Sequence, residues 1–583
     1  MKRYMFLFVV VALFSACGGG DTASGGLRKG EGGVYYGGVF RMNEVEDIRS
    51  LFPLDITEVA SDHIIRQVYE GLVKLSQSNL SVLPCIAERW EKNDNATQWT
   101  FHIRKGVKFQ DDSCFTDTNG KGREVTAMDF KYCFDQLCTA SPINQQFGNT
   151  FENRVVGANE YYASTVIKTP LEGGVEGVKV IDDYTLQINL LYPFAGFLNI
   201  LTTPGCFVYP KEAFEKYDYD MLTKCVGTGP FRLKNISSNE AVVLDRNPHY
   251  WDVDKFGNQL PYMDGLKFTF IKDKKAELLE FKRGKLDMVY RIPNDMISTI
   301  LGELDDARAA NPPFTMQVVP AMTVFYYGFQ HKSPLFSKKE VRLAFNYAID
   351  REKIVTYILQ GDGVPGIYGI VPPSVGSYNN KLVKGFYLDV DKARKLLAKA
   401  GYPNGKGFPT LKLQTNSGGG DRNIQIAEAI QKMLKENLNI NVEIDVVPLA
   451  EHLESLERGK TLFWRSGWVA DYPDPESFLT LLYGKHIPPS MADKSYLNAV
   501  RYESNTFDSL FLAAMKEENE KKRMEIYNQA DQTAINDGAI MPIFYEENYR
   551  LLQVYVKNFP ANAMEYRDMG RVYMEPKEEV KEY

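Results

Sequence analysis

The sequence predicts a mixed α/β protein of at least two lobes. Three observations lead there: apolar residues alternate in some segments and recur at helical spacing in others, one stretch reads as strand, helix, strand, and 583 residues are too many for a single hydrophobic core. No internal repeat, coiled-coil heptad or long low-complexity tract interrupts this pattern.

The elements follow in order. "QWTFHI" places Trp99, Phe101 and Ile103 on one face of a strand, and "VKVIDDYTLQINL" is a hairpin turning at Asp182 and Asp183. "SKKEVRLAFNYAI" puts Val341, Ala344, Phe345, Ala348 and Ile349 on one helical stripe, with Ser337 and Glu340 expected as a capping box. In "DKARKLLAKAGYPNG", Leu396, Leu397 and Ala400 form the apolar face of a helix that stops at Gly401. "LKLQTN", a helix over about 423–438, and "NVEIDVV" supply the strand, helix, strand unit.

The N-terminus carries an address. Lys2 and Arg3 precede an apolar run from Tyr4 to Phe14, then small residues and Cys17, which reads as a secretory signal over 1–16. The run is too short to span a bilayer as a helix. It resembles the bacterial lipoprotein signal, which implies that Cys17 becomes the acylated first residue and anchors the chain to lipid. Residues 18–38 hold 10 glycines, so 17–38 is expected to be a flexible tether reaching roughly 25 Å.

Composition then excludes partners. A net charge of −7 disfavours nucleic acid and anionic lipid. Six further cysteines allow disulfides in an exported protein, and the short loop makes Cys206 with Cys225 the expected bridge, worth about 3 kcal/mol in the chain-entropy model. No C-x-x-C occurs and the histidines are scattered, so neither a metal site nor a cofactor is expected. "DVDKFG" begins like a calcium loop, but the last ligand position falls on Met263, and "GTGPF" at 227–231 reads as a tight structural turn. There is no P-loop, H-E-x-x-H or G-x-S-x-G, and no signal for an enzyme.

One stretch stands apart. In "LFWRSGWVADYPDPESFL", Asp474, Pro475 and Glu476 spell the start of a helix, which leaves Asp471 unassigned. An ionised carboxylate among aromatic residues is costly without a partner, and the same holds for Arg465 between Trp464 and Trp468. Two readings stay open on spacing: the two charges pair with each other or with other protein groups, or each awaits the opposite charge of a ligand. A free peptide supplies both charges.

"RSGWVADYPDPESFL" resembles the motif of the periplasmic oligopeptide-binding proteins, solute-binding protein family 5, which deliver substrates to ABC importers. The resemblance implies that Asp471 takes a peptide's α-amino group and that Arg465 helps receive the carboxyl end of shorter peptides. It further implies that Trp468 belongs to the ligand-binding run and that the backbone of Gly467, Val469 and, in "LFPLDITEVASDHIIRQVYEGLV", Val59 pairs with the ligand. "IAERWEKNDNATQWTFHIRKGVKFQD", "VGTGPFRL", "DRNPHYW", "VRLAFNYAIDREKIV" and "ARKLLAKAGYP" resemble family landmarks in the family's order, so the likeness spans nearly the whole chain.

The implied fold is a bilobal periplasmic-binding-protein clamp, class II or cluster C, with an extra inserted domain. Lobe one would comprise 39–68, 198–320 and 548–583, an inserted lobe two 69–197, and lobe three 321–547. The expected function is a monomeric, membrane-anchored lipoprotein facing the periplasm that captures short peptides for a permease. Three rivals remain: a same-fold binder of an oligosaccharide, nickel or haem, a surface lipoprotein that degrades peptides or glycans, and a peptide-sensing surface lipoprotein.

Overall fold

The computed structural model describes residues 26–576 apart from 195, 294–295, 308–311, 419–420 and 492. The signal segment, Cys17 and residues 18–25 lie outside the described residues. Among the described residues no helix is long and apolar enough to cross a membrane.

Three larger sheets organise the chain. The first runs Phe231–Ser237, Ala241–Arg246, Gly265–Thr269, Val39–Asn43, so a strand from the start of the chain closes a sheet built some 200 residues later. Its last pair is parallel, Gly265 opposite Val39. The intervening residues build a second, all-antiparallel sheet in the order Ala87–Lys92, Gln98–Ile103, Thr185–Asn189, Val178–Asp182. Trp99, Phe101 and Ile103 are buried as the alternation predicts, and Val178–Asp182 with Thr185–Asn189 is the expected hairpin.

The third sheet runs Met288–Tyr290, Ile540–Gln553, Phe314–Phe329, Phe463–Val469, Leu411–Asn416, Val442–Val447. Leu411–Asn416 and Val442–Val447 are parallel and joined by the helix Arg422–Leu438, the predicted unit. The two long strands Phe314–Phe329 and Ile540–Gln553 are antiparallel neighbours, and their pairing breaks between Pro320 and Val324. Such an irregularity bends a ribbon locally.

Helix patterning is mostly as read. Val341, Ala344, Phe345, Ala348 and Ile349 are all fully buried. The cap differs: the helix is Lys339–Tyr347, without a side-chain cap, because the Ser337 hydroxyl donates to Pro334 O and Glu340 pairs with Lys399 at 2.9 Å. Helix Val390–Lys399 is capped by Asp389 and followed by Gly401 at φ +99°, a left-handed conformation suited to glycine.

Two further expectations are corrected. The described part of the tether is structured: Arg28–Lys29 pairs with Tyr35–Tyr36, and Val34 and Tyr36 pack against Tyr250, Leu260 and Tyr262. The glycines hid this because two side chains, Val34 and Tyr36, suffice to dock the segment. Cys206 and Cys225 are free thiols. Cys206 is buried, with Thr203 beside it, whereas Cys225 lies against Tyr69 and the Leu51 carbonyl, so the short loop between them does not bring the sulfurs together.

The other two motifs have local roles. Asp254, in the calcium-like loop, spends its oxygens on the amides of Phe256 and Asn258, the Asn258 side chain and the Tyr262 hydroxyl. Gly227 and Gly229 pack on the backbone of Val68, where a Cβ would meet its carbonyl oxygen at 2.1 and 2.8 Å.

Candidate functional site

A cavity of about 920 Å³ is lined by residues far apart in sequence, among them Val59, Arg291, Phe325, Arg422, Gly467 and Asn548. The strand Phe463–Val469 forms one of its walls. On one side it pairs with Phe314–Phe329 along its whole length, from Thr323 opposite Val469 to Phe329 opposite Phe463. On the other side Leu411–Asn416 covers only Phe463 and Trp464 and then diverges. Among the described residues, no strand pairs with the second edge from Arg465 onward.

Which backbone groups face that open edge follows from two bonds. Ala470 N–H donates to Met322 O, and Leu462 O accepts from Gln330 N–H, so even-numbered residues turn their N–H and C=O toward Phe314–Phe329. In an antiparallel ladder alternate residues face opposite ways. The odd residues 465, 467, 469 and 471 therefore face outward. At the ends these groups are occupied: Arg465 O accepts from His452 Nε2 at 2.8 Å, and Asp471 N–H donates to Ser477 Oγ at 3.0 Å. Between them, Gly467 and Val469 present both N–H and C=O to the cavity, which both residues line.

Glycine at 467 has a steric cause. A Cβ there would stand 2.8 Å from the Phe325 ring, which stacks on Phe544 at 4.6 Å and floors this part of the cavity. Arg465 lies over the same ring, 4.8 Å from its centroid, and donates to Asn416 Oδ1 at 3.0 Å. No carboxylate pairs with it among the described residues. Burial, with repulsion from Arg291 and Arg422, pushes its guanidinium down to about 10. Those two arginines also lie over Phe325 and share the buried Glu546, Arg291 at 2.6 Å and Arg422 at 3.3 Å. Asp362, 3.4 Å from Arg422, is pushed up to about 6 by burial.

Asp471 stands just past the other end of the strand. It does not line the cavity itself; the lining stops at Val469. Its Oδ2 accepts from Asn149 Nδ2 at 3.0 Å, and it makes no ion pair among the described residues. Arg66 acts on it from a distance but is bound to Asp62 at 2.6 Å and to the Thr202 carbonyl at 2.9 Å. The residue keeps some exposure, yet protein crowds the carboxyl closely enough that burial, reinforced by Asp62 and Glu476, raises it to about 7. Asp471 and Arg465 thus do not pair with each other; they lie at opposite ends of the same open edge.

The remaining predicted residues fall around this edge. Trp468 lines the cavity, packs on Tyr496 at 6.0 Å and leaves its indole N–H without a partner. Val59, exposed at the start of the helix Val59–Ile65, lines the facing wall. Asp474 serves structure as expected, accepting from Glu476 N–H at 3.0 Å, and it also pairs with Arg523 at 2.5 Å.

Sequence reasoning missed Asn149, Arg291, Arg422 and Glu546. Only Arg422 carries a local signal: a cation as the first residue of a helix opposes the helix dipole and calls for an anion nearby.

The model for bacterial extracellular solute-binding proteins, family 5 Middle, matches residues 81–488. The chain is 30% identical over 532 residues to the periplasmic oligopeptide-binding protein OppA of Salmonella typhimurium, covering 89% of each chain. It is also 30% identical over 530 residues to OppA of Escherichia coli, again covering 89% of each. Among solved structures it resembles the ABC transporter-associated periplasmic binding protein DppA from Helicobacter pylori in complex with the peptide STSA, with a TM-score of 0.79, 23% identity, and coverage of 93% of this chain and 99% of that one. The chain belongs to solute-binding protein family 5, and its fold is the mixed α/β bilobal clamp of that family.

Proposed function

We propose that this protein captures short peptides between its lobes and hands them to an ABC permease, as an exported lipoprotein held to the membrane through Cys17. The observation that carries the reading is the open edge at Gly467 and Val469, with an unpaired carboxylate at one end and an unpaired guanidinium at the other. A peptide laid on that edge as an added strand would bond through its backbone, so affinity would not depend on side chains. With its amino end at Asp471 and its carboxyl end toward Arg465, it would run antiparallel to Phe463–Val469.

The spacing suggests a length. Six residues of extended chain separate the two charges, at most roughly 20 Å, and the reach of the side chains trims this to peptides of about three to five residues. The named relatives bind oligopeptides, and DppA was solved with a tetrapeptide, in keeping with this reading.

Lobe boundaries at 320/321 and 547/548 fit the same account. They fall at the break in pairing between Pro320 and Val324, where Glu546 has no partner residue on the opposite strand. A peptide touching both walls would bind the closed arrangement better than the open one and so draw the lobes together. The −7 charge and the absence of a catalytic motif are consistent with a carrier rather than an enzyme.

Two measurements test this. Native mass spectrometry of the protein purified without denaturation should find peptides of about three to five residues, and retention of a sugar, nickel or haem instead would refute the peptide reading. Calorimetric titration with tetra-alanine should show Asp471→Asn weakening binding by about 2 to 5 kcal/mol. Equal affinity in the folded variant would remove Asp471 from the site.

A further inference from the structure

The segment around residue 149 reaches Asp471 through a hydrogen bond. Asn149 is 5% exposed, and its Nδ2 donates to Asp471 Oδ2 at 3.0 Å. Its Oδ1 is buried and has no hydrogen-bond partner. Carried on the same carbon as the bonded nitrogen, that oxygen lies within a few ångströms of the carboxylate. The amide oxygen is therefore an unmet acceptor standing near the carboxylate, and an unmet buried acceptor is costly.

The surroundings hold this arrangement in place. Arg154 donates to Thr150 O at 3.0 Å and to Glu476 Oε1 at 2.6 Å, tying the loop that carries Asn149 to the segment that carries Asp471. Glu476 in turn accepts from the Tyr472 hydroxyl, and Arg154 and Glu476 are both buried. Residues 149 and 154 thus meet 471 and 476 in matching order, so the amide is fixed against the carboxylate by a network and does not rest there by chance.

An ammonium group carries three N–H donors and no acceptor, which is the complement of this pair. We propose that Asn149 is an ammonium-binding residue: its Nδ2 holds the Asp471 carboxylate, while its Oδ1 accepts a hydrogen bond from the ligand's primary amine. The inference rests on the peptide reading above and gives the inserted lobe a direct part in reading the amino end. Neither the sequence motif nor the cavity lining points to it, because the residue lies 322 positions from Asp471.

Tetra-alanine and N-acetyl-tetra-alanine, titrated calorimetrically into the full chain and its variants, separate the outcomes. In the wild-type protein the free peptide should bind at least ~100-fold more tightly than the acetylated one. In Asn149→Ala that ratio should fall ~10-fold through weaker binding of the free peptide alone, with acetylated peptide unchanged. Asn149→Leu, which keeps the volume, should do the same and covers the case in which the alanine variant folds poorly. A ratio unchanged in both variants, or an equal loss for both peptides, would overturn the assignment. A wild-type protein indifferent to acetylation would overturn the peptide reading itself, and this inference with it.

Discussion

At the scale of single residues, the site is built from charges kept without partners. Asp471 has a folded-state value of about 7, above the ordinary carboxylate range, because burial opposes its ionisation. The sign for stability follows: between the unfolded value near 4 and the folded value near 7 the native state binds the extra proton, so this carboxyl lowers stability progressively as pH rises through that window. Asp471→Asn should therefore stabilise the empty protein at pH 7.5 by about 1 to 2 kcal/mol in urea unfolding, allowing for the residue's partial exposure, with the gain gone near pH 3. The same variant should bind peptide more weakly, so stability and binding are predicted to move in opposite directions. For wild-type protein, affinity should weaken below pH 7 by up to ~10-fold per unit, since the amine must then displace a proton. Arg465→Ala should weaken binding most for one peptide length in a series from two to six residues, because a fixed cation meets only a carboxylate at the right distance. Equal losses along the series would rule out that role.

At the scale of elements, the strand Phe463–Val469 matters because its neighbour leaves it. Gly467 is the point where side-chain bulk would close the edge. Gly467→Val should cost about 1 to 3 kcal/mol of stability through the Phe325 ring and abolish measurable peptide capture. Retained capture would argue that the ligand does not lie on this edge. What the sequence discloses follows the same division. Local patterns were legible: the strand at Gln98–Ile103, the buried stripe of Val341 to Ile349, the strand, helix, strand unit at 411–447 and the odd carboxylate of Asp471. Features that depend on a distant partner were not. Glu340 has the composition of a capping-box partner, but its carboxylate goes to Lys399; the glycine-rich start docks because Tyr250 and Tyr262 happen to receive it; and loop length alone did not place the sulfurs of Cys206 and Cys225 together. Asn149 and Glu546 join the site only through folding, and neither has a neighbour in sequence that announces it.

Across the whole molecule, the proposed lobe boundaries make the strands Phe314–Phe329 and Ile540–Gln553 the connection between the halves. Glu546 sits where their pairing breaks, fully buried, and holds Arg291 beside the strand Met288–Tyr290 and Arg422 at the start of the helix Arg422–Leu438. Removing it leaves Arg291 without an ion-pair partner among the described residues and Arg422 with Asp362, at 3.4 Å. Glu546→Ala should lower unfolding stability by about 3 kcal/mol, as breaking a buried ion pair does. An unfolding midpoint equal to wild type would show that the cluster contributes nothing to holding the halves together.

The arrangement as a whole makes one central claim, that a peptide's amino group completes the Asp471 carboxylate while its backbone adds a strand beside Gly467 and Val469. A crystal structure with bound tetra-alanine tests it most directly. The account predicts the ligand nitrogen about 2.7 to 3.1 Å from the Asp471 carboxylate and backbone bonds to both residues. A tetrapeptide running the other way, or one lying in the cavity with Asp471 still bound only to Asn149, would contradict it.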